Sequence, residues 1–154
     1  MADWLTPEQR HRNMVAIRSS GTSIELRLRQ ALRGAFPGRQ IRDHPNLPGR
    51  PDYYLPALRL AVFADGCFWH SSPEHGHIPQ NNRLYWTTKL RRTASRDKTA
   101  DSNLNRLGIQ SLRVWEHDLT TKRLADTVAQ LQFLCSPRAD RAPVHPKLAH
   151  TYPK

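Results

Sequence analysis

Apolar and stiff positions are concentrated in residues 48–70, Pro-Gly-Arg-Pro-Asp-Tyr-Tyr-Leu-Pro-Ala-Leu-Arg-Leu-Ala-Val-Phe-Ala-Asp-Gly-Cys-Phe-Trp-His, and the other elements group around them. Pro48 and Pro51 restrict the approach to Asp52, because proline fixes φ and limits the residue before it. Residues 52–55 read as a short strand, Pro56-Ala57 as a turn, and residues 58–63 as a second, more apolar strand. Ala64-Asp65-Gly66 closes that strand, and His70 follows shortly after.

Upstream, Thr6-Pro7-Glu8-Gln9 has the form of a helix start, with Thr6 as N-cap and Gln9 three residues on. That helix runs to about residue 19, with Met14, Val15 and Ile17 set among basic residues. Ser20-Gly21 breaks it, and Thr22-Ser23-Ile24-Glu25 opens a second helix with a capping box. Leu26, Leu28, Leu32 and Phe36 supply its apolar positions, and Pro37-Gly38 ends it. Residues 40–44 read as a short strand. Downstream, Asn81 or Asn82 caps a long helix to about Leu107, with Gly108 as its stop. Residues 110–114 form a strand, Trp115-Glu116-His117-Asp118 its exit, and residues 120–134 a last helix. Leu124, Val128, Leu131 and Leu134 lie at core spacing on that helix. Strands and helices thus alternate around one central pair, an α/β pattern.

Composition sharpens the picture through its charge. The 154 residues carry 24 Lys and Arg against 13 Asp and Glu, a formal +11, with arginine in the majority. Arginine suits bidentate phosphate contact, so nucleic acid is the leading partner and an anionic membrane surface the second. Aromatics scattered among the basic residues favour nucleic acid, since bases stack. No apolar run approaches the ~20 residues of a membrane span. Met1-Ala2-Asp3-Trp4 lacks the features of a secretory signal, and two cysteines, Cys67 and Cys135, make no disulfide framework. A monomeric protein of the reducing bacterial cytoplasm is expected, with no membrane partner.

Residues 1–135 form one domain, in which residues 1–20 are either an amphipathic surface helix or a basic arm laid on DNA with Met14 as an apolar wedge. Residues 136–154 are rich in Pro, Arg, Lys and His and read as a mobile basic tail. The long helix holds Arg83, Lys89, Arg91, Arg92, Arg96, Lys98 and Arg106 but only Asp97 and Asp101 as acids. Its charges therefore cannot mostly be paired within the helix.

Two groups of residues can carry chemistry. Asp52 and His70, at the ends of adjacent strands, can share a metal-and-water site; alternatively Asp52 only bonds turn amides. Glu25 either completes its capping box or is aimed at a metal-bound water. Cys67, His75, His77 and His117 are all competent to bind zinc, though dispersed along the chain.

These residues resemble the very-short-patch (Vsr) mismatch repair endonucleases, a branch of the restriction-endonuclease-like nucleases. The resemblance runs from about Arg12 to Leu119. It rests on Arg12-Asn13-Met14-Val15-Ala16-Ile17, Leu47-Pro48-Gly49-Arg50-Pro51-Asp52, Gly66-Cys67-Phe68-Trp69-His70, Arg96-Asp97 and Val114-Trp115-Glu116. It implies a restriction-endonuclease-like mixed β-sheet flanked by helices. The implied activity is Mg²⁺-dependent nicking of double-stranded DNA on the 5′ side of the thymine in a T·G mismatch, left by deaminated 5-methylcytosine. The implied Mg²⁺ ligands are Asp52 and the backbone carbonyl of Ala64. His70 matches the catalytic histidine, with Glu25 and Asp97 in support. Phe68, Trp69 and Trp86 match aromatics that wedge beside the mismatch, Met14 a residue inserted by the N-terminal helix, and Lys89 a contact to the mispaired bases.

Two departures stand out. Where some members have Thr-His before the glycine, this chain has Ala64-Asp65. The family's structural Zn²⁺ site takes Cys67 and His117 here, and because Ser71-Ser72 fills the near side of the loop, His75 or His77 must complete it. A restriction-type nickase of other specificity and a damage-binding module without catalysis are the competing readings, and repair-pathway proteins are conceivable partners. Retention of Asp52 and His70 speaks against the binding module, which needs neither.

Overall fold

The computed structural model describes Thr6, Glu8, Gln9, Arg12 and residues 21–135. Within residues 21–135, three helices flank a four-stranded mixed sheet. Helix α1 (Ser23–Ala35) begins at the expected capping box: the Glu25 N–H donates to Thr22 Oγ1, and Glu25 Oε1 accepts from the Thr22 hydroxyl at 2.8 Å. Strands β1 (Arg42–Asp43), β2 (Tyr53–Leu55) and β3 (Leu60–Asp65) are antiparallel neighbours. β4 (Gln110–Trp115) runs parallel to β3, which requires a crossover; helix α2 (Arg83–Arg106) lies in it. Helix α3 (Leu124–Leu134) closes the described chain.

β3 is buried along nearly its whole length, and its side chains divide by the period of two. Leu60 and Val62 face the main core, with Leu28, Ala31 and Leu32 of α1, Leu112 and Val114 of β4, and Leu131 of α3. Ala61 and Phe63 face the other way, onto Leu104 of α2 and Ile109. Asp65 continues this second series, so a carboxylate sits where the alternation calls for a core residue. Among the described residues no helix is long and apolar enough to cross a membrane.

Several boundaries differ from the sequence reading. The second central strand starts at Leu60 rather than Leu58 because Pro56–Leu58 winds into a 3₁₀ turn and Arg59 takes a left-handed φ of +48°. The Arg59 guanidinium secures that turn by donating to the carbonyls of Leu107 (2.6 Å) and Gly108 (2.8 Å). The strand expected over residues 40–44 is reduced to Arg42–Asp43, and His44 leaves it with φ +40°. Asn82 occupies the N-cap position of α2 as expected, but it is left-handed (φ +56°) and makes no side-chain cap bond. The last helix starts at Leu124 instead of Thr120, whose carbonyl accepts from the Arg123 and Leu124 N–H groups.

At the N-terminus the predicted cap forms: the Thr6 N–H donates to Gln9 Oε1 (2.8 Å) and the Gln9 N–H to Thr6 Oγ1 (3.2 Å). Met14 and the tail from residue 136 lie outside the described residues.

Candidate active site

The loop into β2 is shaped by close contact. Gly49 has φ +77°, and a Cβ there would lie 2.5 Å from the Ala100 Cβ of α2 and 3.3 Å from the Phe63 ring. Only glycine fits, which accounts for Pro-Gly-Arg-Pro-Asp as a packing motif. Pro51 is fully buried, and Asp52 follows with its backbone carbonyl accepting from the His44 N–H at 2.9 Å. Asp52 Oδ2 accepts the Ala64 N–H at 2.7 Å, bridging β2 to the end of β3.

Asp52, Glu25 and His44 converge, with one ligand atom of each lying within 4.8 Å of the others. Glu25 is buried at the start of α1; its Oε2 accepts the Gly21 N–H (2.9 Å) and stands 3.6 Å from His44 Nε2. The capping box of Glu25 forms as expected, and its carboxylate also lies close to that of Asp52. Burial raises the Asp52 pKa, the Ala64 N–H opposes that, and the charge of Glu25 adds to the rise. Such a concentration of carboxylate oxygens suits a cation.

A second cluster is built on the α2 side of the sheet. His70 Nδ1 lies 2.8 Å from Asp97 Oδ2, and Nε2 lies 3.8 Å from Asp65 Oδ1. Burial by itself pushes the His70 pKa down, but the Asp97 hydrogen bond and the charges of Asp65 and Asp97 outweigh it, leaving a net rise. Behind this cluster sits Arg113, which the sequence reading did not single out. Its Nη1 donates to both oxygens of Asp65 (3.1 and 3.2 Å) and its Nη2 to Asp101 Oδ1 (3.2 Å), with Asp97 Oδ1 at 3.5 Å. The guanidinium carbon lies 4.3 Å from the centroid of Phe63, its register partner on β3. A charge within a buried strand was the available signal. Asp97 and Asp101 were the other, at positions i and i+4 on the same face of α2 as Leu90 and Leu104.

The turn after β3 holds the aromatic residues. Phe68 meets Trp69 and Trp86 edge-on, with centroids at 5.1 and 5.2 Å, and Lys89 Nζ lies 5.0 Å from Trp69 and 5.4 Å from Trp86. All three rings are half-buried, and Tyr85 extends the group with an exposed ring. The wedge candidates are thus brought together beside His70.

The zinc candidates divide. Cys67, His75 and His117 bring their ligand atoms within 4.8 Å of one another, with Cys67 Sγ 3.2 Å from His117 Nδ1. Burial raises the Cys67 thiol pKa. His77 is not part of this group; its ring packs 5.6 Å from Phe68. A thiol and two imidazoles form a borderline-soft donor set, which suits zinc.

Clustered carboxylates and imidazoles at one end of a mixed sheet, beside a basic helix and an aromatic turn, suit metal-assisted hydrolysis of a phosphodiester. Residues 2–75 match the family described as "DNA mismatch endonuclease Vsr". The chain is 42% identical over 129 residues to "Type II nicking enzyme V.NaeI" of Lentzea aerocolonigenes, covering 81% of this chain and 78% of that protein. It is 36% identical over 121 residues to "DNA mismatch endonuclease Vsr" of Escherichia coli (strain K12), covering 75% and 74%. With "Type II nicking enzyme V.XorIIP" of Xanthomonas oryzae pv. oryzae the identity is 34%, covering 78% and 88%. This chain belongs to the Vsr DNA mismatch endonuclease family and is a DNA-nicking endonuclease.

Proposed function

We propose that the enzyme nicks one strand of double-stranded DNA at T·G mispairs, on the 5′ side of the thymine. The observation that carries this specificity is the Phe68–Trp69–Trp86 group with Lys89 over its rings, set beside His70. Rings in this position can enter a base step, and opening a step is least costly at a mispair.

Asp52, the Ala64 carbonyl and, through water, Glu25 would hold the Mg²⁺. In an extended strand the N–H and C=O of one residue point to the same side. The Ala64 N–H reaches Asp52, so its carbonyl faces the same space. Bound there, the ion supplies charge neutralisation at the scissile phosphate and at the departing oxygen. His70 takes the proton of the attacking water on Nε2, while Asp97 holds the proton on Nδ1 and fixes the ring. Asp65, held by Arg113, takes up the supporting position left by the missing histidine. Cys67, His75 and His117 would hold a structural Zn²⁺ that ties the exit of β3 to the exit of β4.

The names of the relatives support a second reading, a type II nicking enzyme with a sequence preference of its own. Strand-specific nicking in Mg²⁺ on duplexes carrying T·G, other mispairs or matched pairs in one sequence context separates the two. Nicking confined to the T-strand of T·G duplexes is expected. Equal nicking of matched duplexes would overturn the mismatch reading.

A further inference from the structure

His44 has no part in the catalytic scheme above, yet it faces its centre. Its side chain is half exposed, and its Nε2 lies with the carboxylates of Asp52 and Glu25 in one cluster. Three features hold the ring there. The backbone takes φ +40°, a conformation that few non-glycine residues adopt. The His44 N–H is tied to the Asp52 carbonyl at 2.9 Å. The ring also stacks on Tyr53 at 6.4 Å and 29°, and the Tyr53 hydroxyl donates to the Glu25 carbonyl at 3.0 Å.

An ion pair with Glu25 does not account for this. The two groups stand 3.6 Å apart, beyond hydrogen-bond length, and both Glu25 oxygens already accept from the helix cap. We propose that His44 is a nitrogen ligand of the cation held at Asp52. The site is then a mixed oxygen–nitrogen one, preferring a first-row transition ion such as Mn²⁺ to Mg²⁺. Imidazole nitrogen strengthens binding of transition ions, whereas Mg²⁺ favours oxygen and water. This inference rests on the reading of Asp52 as the cation site. It adds a second imidazole with a role distinct from that of His70.

The test uses full-length protein with its thiol site pre-loaded with Zn²⁺. Mn²⁺ binding is followed by loss of the free-ion paramagnetic resonance signal, and Mg²⁺ is titrated as a competitor. His44→Asn is the informative variant, because asparagine tolerates the left-handed backbone and replaces the nitrogen donor by oxygen. Wild-type protein should favour Mn²⁺, and His44→Asn should reduce the Mn²⁺-to-Mg²⁺ preference by about tenfold or more, the effect of losing a metal-site partner. His70→Ala should leave that preference unchanged. Nicking rates in Mn²⁺ and Mg²⁺ should shift in the same ratio. An unchanged preference in His44→Asn, with Mn²⁺ binding lost in Asp52→Asn, would overturn the role of His44 alone. Full Mn²⁺ binding in Asp52→Asn would overturn the Asp52 site as well. Circular dichroism melts establish that each variant is folded.

Discussion

At the scale of single residues, the site conflicts with the stability of the chain that carries it. Burial raises the Asp52 pKa, so the folded protein holds that proton more tightly than the unfolded chain does. The ionised carboxylate therefore costs stability above the ordinary carboxylate range, and the cost vanishes below it. Asp52→Asn should abolish nicking yet raise the stability of metal-free protein near pH 7 by about 0.5–2 kcal/mol. DNA binding should remain, because affinity rests on many phosphate contacts. Denaturant unfolding and a gel-shift measurement check both parts. His70 gives the opposite kind of test. Its pKa is raised, so the stability gained from its pairing with Asp97 is complete below the ordinary histidine value of 6.5 and lost as pH rises through the higher folded value. The proposed base role requires a neutral His70, so the acid limb of kcat/KM should lie above 6.5 and move down in Asp97→Asn.

Arg113 belongs to the same scale. Removing it strands a buried carboxylate, and breaking a buried pair from one side costs about 3–5 kcal/mol. Arg113→Met should destabilise by that order in urea unfolding, and adding Asp65→Asn should recover most of the loss. Failure of the double variant to recover would show that Arg113 acts through its packing on Phe63 rather than through charge.

At the scale of elements, the sequence revealed what local chemistry decides. Thr22 and Glu25 announce α1, Gly108 (φ +67°) ends α2, and the apolar run marks β3. What it did not reveal depends on contacts distant in sequence. Arg59 shifts the start of β3 because its guanidinium finds carbonyls almost fifty residues away. The pairing of Arg113 with Phe63 exists only once the β3–β4 register is set, and His44 joins Asp52 only through the fold of the intervening loop. Asp52, His70, Glu25 and Asp97 were legible because motif residues carry them; the places of His44, Asp65 and Arg113 beside them were not. Among the zinc candidates, loop geometry rather than residue type separates His75 from His77.

At the scale of the molecule, the basic helix α2 carries Trp86 and Lys89, which pack on the aromatic residues of the turn after β3. Asp97 and Asp101, the only acids of α2, turn inward to His70 and Arg113, leaving its outer surface strongly positive. Trp69→Ala or Trp86→Ala should therefore weaken mismatch binding by about 1–3 kcal/mol while leaving matched-duplex binding nearly unchanged. Competition binding with the two duplexes measures the difference, and equal losses would mean that the rings make only general contacts.

The contact between Gly49 and Ala100 gives this helix a mechanical property. Where the glycine Cα meets the alanine methyl there is no room for a side chain to act as a cushion. Any shift of α2 at Ala100 is therefore passed without slack to the loop that leads to Asp52, so the position of that carboxylate is tied to the position of the helix.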